Sequence, residues 1–272
     1  MEPDGSDRYS AGMSPVDFEP FALELAAVAG EVTLPGFRQG LDVVDKGPDG
    51  AFDPVTAADR DAEAELRRVI SGRFPGHGVI GEEYGQDRPD ADWVWVLDPI
   101  DGTRAYVSGL PLWTTLIALL HEGEPVLGVV AQPYLREAFI GTAAGSRLVR
   151  PDHADRPLQT RSCASLAQAT ISTTDPGLFA GEEAEAWARL RHASRLARLG
   201  CDAYAYAMVA AGQIDVVLES GLKLWDWAPH KPLIEGAGGQ VVGWETAGCS
   251  DGRVLASGDA SLIGALRSII LR

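Results

Sequence analysis

Two aspartates three residues apart, Asp98 and Asp101 in the stretch WVLDPIDGT, close an apolar run of the kind that pairs in a sheet. Like charges at the end of a buried strand are penalised by desolvation and again by each other, so something must offset them. Three more places set carboxylates beside turn residues: Asp59 in PVTAAD, Glu82 and Glu83 in GEE, and Asp226 in LWDWA. Singly, each has an ordinary reading: first-turn helix charge for Asp59, a loop acid for Glu82, an Asx turn for Asp98, an N-cap for Asp226. Together they form a set of hard oxygen donors of the kind divalent cations require. A turn begun by Pro99 aims Asp98 and Asp101 at one point and leaves the Ile100 carbonyl as a further oxygen ligand. Gly102 and Thr103 then start a helix whose open amides suit a phosphate. Cations beside a phosphate cradle point to metal-assisted phosphoryl chemistry, with two or three ions about 3.5–4 Å apart.

The elements that must position these groups are legible in outline. Residues 1–13 read as a disordered tail. Ser14-Pro15 caps a helix through FEPFALELAAVAGEV, Gly36 to Gly50 is loop, and Asp53-Pro54-Val55-Thr56 leads into a second helix, AADRDAEAELRRVISGRF. In that helix Leu66, Val69, Ile70 and Phe74 keep helical spacing. The segments GVIG, WVWVLD, LWTTLIALL and PVLGVVAQ read as strands of an antiparallel sheet, with Glu122-Gly123-Glu124 as a turn. PDHADRPLQTRS is the seam between a subdomain at 14–150 and another at 151–272 of one continuous unit. Helical patterns follow at EEAEAWARLRHASRLARL and CDAYAYAMVAAGQ, then a strand IDVVLES, a helix from Trp225 to Gly238, a strand QVVGW and a last helix DASLIGALRSIILR. The mixed order predicts a layered α+β or α/β sandwich in preference to a barrel.

The 272 residues hold 39 Asp plus Glu against 23 Lys plus Arg, a net charge of −16. Such a surface repels a nucleic-acid backbone. Three scattered cysteines suit neither a disulfide framework nor a zinc knuckle. With no apolar run of membrane-spanning length and an acidic, polar start, the protein is expected to be cytoplasmic, with no membrane partner.

The segments DPVTAAD, GEE, WVLDPIDGT and WDWAPHKPLIEGAGG, in that order, resemble the inositol monophosphatase-like, lithium-sensitive phosphatase superfamily, over roughly residues 15 to 270. The resemblance implies a layered αβαβα sandwich, with a larger antiparallel sheet and a smaller mixed one, and commonly a homodimer. It implies that Glu82, Asp98, Asp101 and Asp226 ligate Mg²⁺ together with the Ile100 carbonyl, and that Li⁺ inhibits. Asp59, hydrogen-bonded to Thr103, would orient and deprotonate the nucleophilic water, with Glu82 also in the catalytic set. The Gly102 and Thr103 amides would hold phosphate oxygens. Thr56 would serve the site from behind or cap its helix.

For the substrate, GCDAYAYAMVAAGQIDVVLESGLKLWD, FDPVTAADR and PLWTTLIALL resemble the histidinol-phosphate phosphatase branch. A cationic amino-imidazole needs acidic and aromatic partners, which Asp202, Tyr204 and Glu219 offer, with Arg104 at the mouth. An inositol or related cyclitol phosphate is the alternative, and a non-catalytic metal- or ligand-binding relative is a third. Tyr204 and Tyr206 point to different faces of their helix, so at least one packs. Trp225 and Trp227 are expected in the core. No histidine is assigned to catalysis. Ala228-Pro229-His230-Lys231 departs from the branch, which has a small Ala-Ala pair there, and Pro229 fits only where a helix has just begun. Lys231 either reaches a substrate anion or snorkels at the surface.

Overall fold

The computed structural model describes residues 12–39, 44–45, 54–55 and 57–272, with only the backbone path at 44–45 and 54–55. The expected tail up to residue 11, most of the loop at 36–50, Asp53 and Thr56 lie outside the described residues. Met13, at the end of that tail, already packs against the first core.

After a 3₁₀ turn at Pro15–Phe18, α1 runs over Glu19–Thr33 and α2 over Ala57–Arg73; the short strands β1 (Val44–Asp45) and β2 (Pro54–Val55) pair between them. Next come β3 (Gly78–Gly81), β4 (Gly85–Asp87), β5 (Trp93–Asp101), the short helix α3 (Thr103–Val107), β6 (Thr114–His121), β7 (Glu124–Gln132), β8 (Glu137–Thr142), β9 (Gly145–Val149) and β10 (Arg156–Pro157). The second half holds β11 (Thr170–Thr173), α4 (Glu182–Ala193), β12 (Leu196–Leu199), α5 (Tyr204–Ala210), β13 (Val216–Glu219), α6 (Leu224–Trp227), α7 (His230–Gly236), β14 (Gln240–Gly243), β15 (Val254–Ser257) and α8 (Ile263–Ile270).

Among these residues the larger sheet has eight strands in the order β10-β9-β8-β7-β6-β5-β3-β4, and the smaller has five, β12-β11-β13-β15-β14. The larger sheet is antiparallel except where β3 lies parallel to β5. The hairpin to β4 reverses the chain and the return to β5 reverses it again, so β5 meets β3 in the same direction. The smaller sheet is mixed: β11 is parallel to both neighbours, and β15 is antiparallel to both of its own.

Alternation along the strands divides the side chains between cores. From one face of the larger sheet, Trp95, Leu97, Ile117 and Leu119 meet Phe21 and Leu25 of α1 and Leu66 and Ile70 of α2. From the other, Leu116, Val130 and Phe139 meet α5 and α7, whose far sides meet Val217, Val254 and Ala256 of the smaller sheet. Trp187 of α4 and Leu266 of α8 cover that sheet's outer face. The result is the layer sequence helix, sheet, helix, sheet, helix.

Three local expectations change. The pattern EEAEAWARLRHASRLARL is a helix only to Ala193; Ser194 is extended and Leu196–Leu199 becomes the edge strand β12 beside β11. Its own residues carry no strand alternation, so pairing decided it. The helix expected from Trp225 to Gly238 is two helices, broken at Ala228-Pro229, with Pro229 at the start of α7, where its missing N–H costs nothing. Strands β1, β2, β4 and β8 to β12, with β15, were not anticipated at all, and β1 falls within the expected loop at 36–50.

The α6–α7 corner sits on paired glycines. Gly128 of β7 faces Gly141 of β8 in register, and a Cβ at Gly128 would stand 1.9 Å from the Pro229 carbonyl oxygen. That contact is backbone against backbone and cannot yield cheaply. Gly128→Ala is therefore expected to destabilise the protein by about 1–3 kcal/mol, as overpacking does. Chemical denaturation checks this, and an unchanged midpoint would rule out the close approach.

Candidate active site

Asp98 and Asp101 are three apart, so a regular strand would send them to opposite faces. The structure resolves this with a β-bulge: Asp98 pairs with Leu116 and Asp101 with Thr114, so three steps on β5 span two on β6. The extra residue restores parity and brings both carboxylates to one side. Pro99, which cannot donate to the ladder, is the signal in the sequence. Thr115 closes the bulge by donating its hydroxyl to the Pro99 carbonyl at 2.8 Å. The expected turn after Asp98 is thus a bulge inside a strand that continues to Asp101.

Asp226 arrives from α6, and one oxygen each of Asp98, Asp101 and Asp226 fall within 4.8 Å of one another. A backbone amide aims each carboxylate: Ile100 N–H donates to Asp98 at 3.1 Å, Ala203 N–H to Asp101 at 2.8 Å and Lys223 N–H to Asp226 at 2.7 Å. Asp98 thus makes the expected Asx-type bond, whereas the N-cap of α6 is Lys223 and Asp226, expected there, accepts its amide from the third helical position. Burial, then the charges of Glu82, Asp101, Asp226 and Asp59, push the Asp98 carboxyl well above its usual range. Asp101 is raised in the same way, by burial first and then by Asp202 and Asp226. An all-oxygen donor set under mutual repulsion, with no His or Cys in it, fits hard divalent cations such as Mg²⁺.

One cavity of about 530 Å³ gathers the sites separated in sequence. Glu82, Asp98, Ile100, Asp101 and Asp226 line it, with Gly102, Thr103 and Arg104 at the start of α3. Asp202 and Glu219 line it from the second half. Gly102 has φ +76°, a left-handed conformation natural to glycine, and the Asp202 carboxylate lies so close that a Cβ at Gly102 would be 3.0 Å from Oδ2. The first bonds inside α3 come from Ala105 and Tyr106 N–H, which leaves the Gly102 and Thr103 amides ahead of the helix ladder. Asp202 itself is held at φ +42°, and its successor's amide grips Asp101. Burial raises its carboxyl, against the lowering influence of Thr174 and Arg104.

Asp59, in the first turn of α2, is buried behind this wall, near enough for its charge to raise both Asp98 and Tyr106. The Thr103 hydroxyl donates to the Ile100 carbonyl at 3.1 Å, a partner other than the Asp59 that the resemblance implied. Tyr204 also departs from expectation. It does not line the cavity; its hydroxyl donates to Glu137 at 2.9 Å and its ring packs edge-on to Phe139. Tyr206 is buried and stacked on His230. Trp225 and Trp227 both pack against buried clusters as expected, and Trp225 also reaches the cavity wall. Lys231 pairs with Glu124 at 3.2 Å, away from the cavity. Thr174, Ser220 and Lys223 are wall residues that the sequence did not single out, since small polar and loop residues carry no spacing signal.

A model of the inositol monophosphatase family matches residues 15–270. The chain belongs to that family. A chloroplastic bifunctional phosphatase of Arabidopsis thaliana is 42% identical over 247 residues, 89% of this chain and 69% of that protein. A histidinol-phosphatase of Mycobacterium tuberculosis is 36% identical over 232 residues, 81% and 85% of the two chains. The structure of an inositol monophosphatase from Zymomonas mobilis superposes with a TM-score of 0.85 at 37% identity, covering 96% of this chain and all of the other. This protein is a phosphatase of the inositol monophosphatase family, with its αβαβα fold. None of its described helices is long and apolar enough to cross a membrane.

Glu219 offers a test of the cavity's electrostatics. Its carboxylate accepts from Thr174 N–H at 2.6 Å and the Thr173 hydroxyl at 3.2 Å, yet burial lifts its pKa to about 7 from 4.5. A carboxyl with a raised folded-state pKa binds more protons folded than unfolded, so stability falls as pH rises from about 4.5 to about 7 and levels off above. In metal-free protein, the melting temperature of Glu219→Gln relative to wild type is expected to climb across that window. A difference that stays flat with pH would show that Glu219 ionises freely.

Proposed function

We propose that this chain is a Mg²⁺-dependent phosphomonoesterase that hydrolyses L-histidinol phosphate to L-histidinol and phosphate. The observation that carries the reading is the cavity itself. Carboxylates of Asp98, Asp101 and Asp226 meet beside the Gly102-Thr103 amides, Glu82 lines the same cavity, and the acidic lining continues through Asp202 and Glu219. The first four acids and the Ile100 carbonyl would hold the ions. Bound Mg²⁺ supplies the positive charge that acidifies a water and neutralises the phosphoryl oxygens.

The remaining work belongs to the chain. Gly102 and Thr103 amides fix the phosphate, which sets the ester bond in line for attack. Asp59, buried and close to the acid cluster, takes the proton of the attacking water. Thr103, which donates to Ile100, has lone pairs left to accept from that water. Asp202, pressed against Gly102, faces the leaving alcohol, where an ammonium group would meet its charge. The likeness to a histidinol-phosphatase supports this choice.

The second reading is a cyclitol monophosphatase. Arg104 and Lys223 on the wall are donors that suit hydroxyls, and the Zymomonas mobilis relative is an inositol monophosphatase. A phosphate-release assay with Mg²⁺ on L-histidinol phosphate and inositol phosphate separates the two. Wild type is expected to prefer the former, and Asp202→Asn to lose about 10–100-fold on it alone, the worth of one charge-assisted hydrogen bond. Equal turnover of both esters, or equal loss on both, would defeat the assignment.

The metal reading has its own test. Asp98→Asn is expected to cut turnover by more than about a hundredfold, beyond what losing an outer partner of a ligand costs. Its metal-free stability should match or exceed wild type, because one of the repelling charges is gone. Normal turnover in this variant would remove Asp98 from the site.

A further inference from the structure

Glu63 is fully buried in α2, one turn beyond Asp59 on the same helix face, and it does not line the cavity. Its carboxylate accepts three hydrogen bonds. Oε2 accepts the Glu83 N–H at 2.7 Å, while Oε1 accepts the Tyr84 N–H at 3.2 Å and the Arg67 Nε–H at 2.8 Å. Arg67 also reaches the Gly85 carbonyl. One side chain from α2 thus grips two successive amides of the turn between β3 and β4, and Glu82 is the first residue of that turn. On the other side, Glu82 N–H donates to the Leu97 carbonyl of β5 at 3.3 Å. Gly81 is part of the same fitting, since a Cβ there would stand 2.1 Å from Glu63 Oε1.

A buried ion pair is a poor source of stability, because desolvation consumes most of the attraction and a well-packed apolar residue serves as well. What an apolar residue cannot do is hold two amides in a set direction. From this geometry we propose that Glu63 is a positioning residue: it fixes the Glu82–Tyr84 turn so that the Glu82 carboxylate stays on the metal cluster, in register with Asp59 on the same helix. The proposal rests on the Mg²⁺-phosphatase reading above.

The test is a Mg²⁺ titration of Glu63→Gln in the full chain, read by melting temperature without ester and by turnover of whichever ester wild type hydrolyses faster. Glutamine puts one amide oxygen and one NH₂ where three donors need acceptors, so at least one hold on the turn is lost. Half-saturation by Mg²⁺ is expected to rise about 10–100-fold in both readouts, as for residues that orient a ligand. KM for the ester at saturating Mg²⁺ should move less than about threefold, since Glu63 touches no substrate. Ile70→Val, a mild core change on the same helix, should lower the melting temperature without moving the Mg²⁺ midpoint. Should Glu63→Gln fail to fold, Arg67→Ala takes its place and must shift the midpoint in the same direction. A variant that melts lower but keeps the wild-type Mg²⁺ midpoint makes Glu63 merely structural and overturns the proposal alone. A wild type indifferent to Mg²⁺ overturns the parent reading and this one with it.

Discussion

Carboxylates that repel one another are held together inside this protein, and much of the architecture serves that constraint. Asp98 and Asp101 are brought to one side by a single extra residue in β5, each is aimed by a backbone amide, and Asp226 is brought in by a four-residue helix. Left to themselves, flexible acidic side chains would turn away from each other. Here the amides that grip them belong to sheet strands and helix starts, which cannot follow.

That rigidity comes from close packing on both sides of the cluster. Behind it, α2 carries Asp59 and lies against the larger sheet through Leu66 and Ile70. In front, the α6–α7 corner is pressed onto the facing glycines of β7 and β8. Directly after α6 has presented Asp226, Pro229 opens α7, whose Leu233 and Ile234 fill the layer between the sheets. Beyond Asp226, His230 is buried against Tyr206, while Lys231 pairs with Glu124 at the surface.

The cavity then divides its charge by source. The first half supplies Glu82, Asp98 and Asp101 together with the α3 amides, and the second supplies Asp202, Glu219 and Asp226. Each half thus has two roles, supplying carboxylates to the Asp98-Asp101-Asp226 cluster and forming the surrounding wall. Asp202 bridges the two roles, since its side chain faces the cavity and its neighbour's amide holds Asp101.

Much of this was legible in the residues alone. Clustered acids beside Gly, Pro and Thr marked the carboxylates that line the cavity, and the ordered motifs pointed to the family and its layered fold, because oxygen donors and turn residues leave local marks. The sequence also located both N-terminal helices and the long strands, whose periodicity is strong. It did not reveal that β12 is a strand, that β3 runs parallel to β5, or that Tyr204 turns away to Glu137, since each depends on a partner distant in the chain. Nor could it show that Glu63 clamps the Glu82 turn. The amino acids determined which groups could ligate, cap and pack; only the tertiary structure decided which of them meet, because hydrogen-bond partners and shared cavities are set by distances that chain order does not encode.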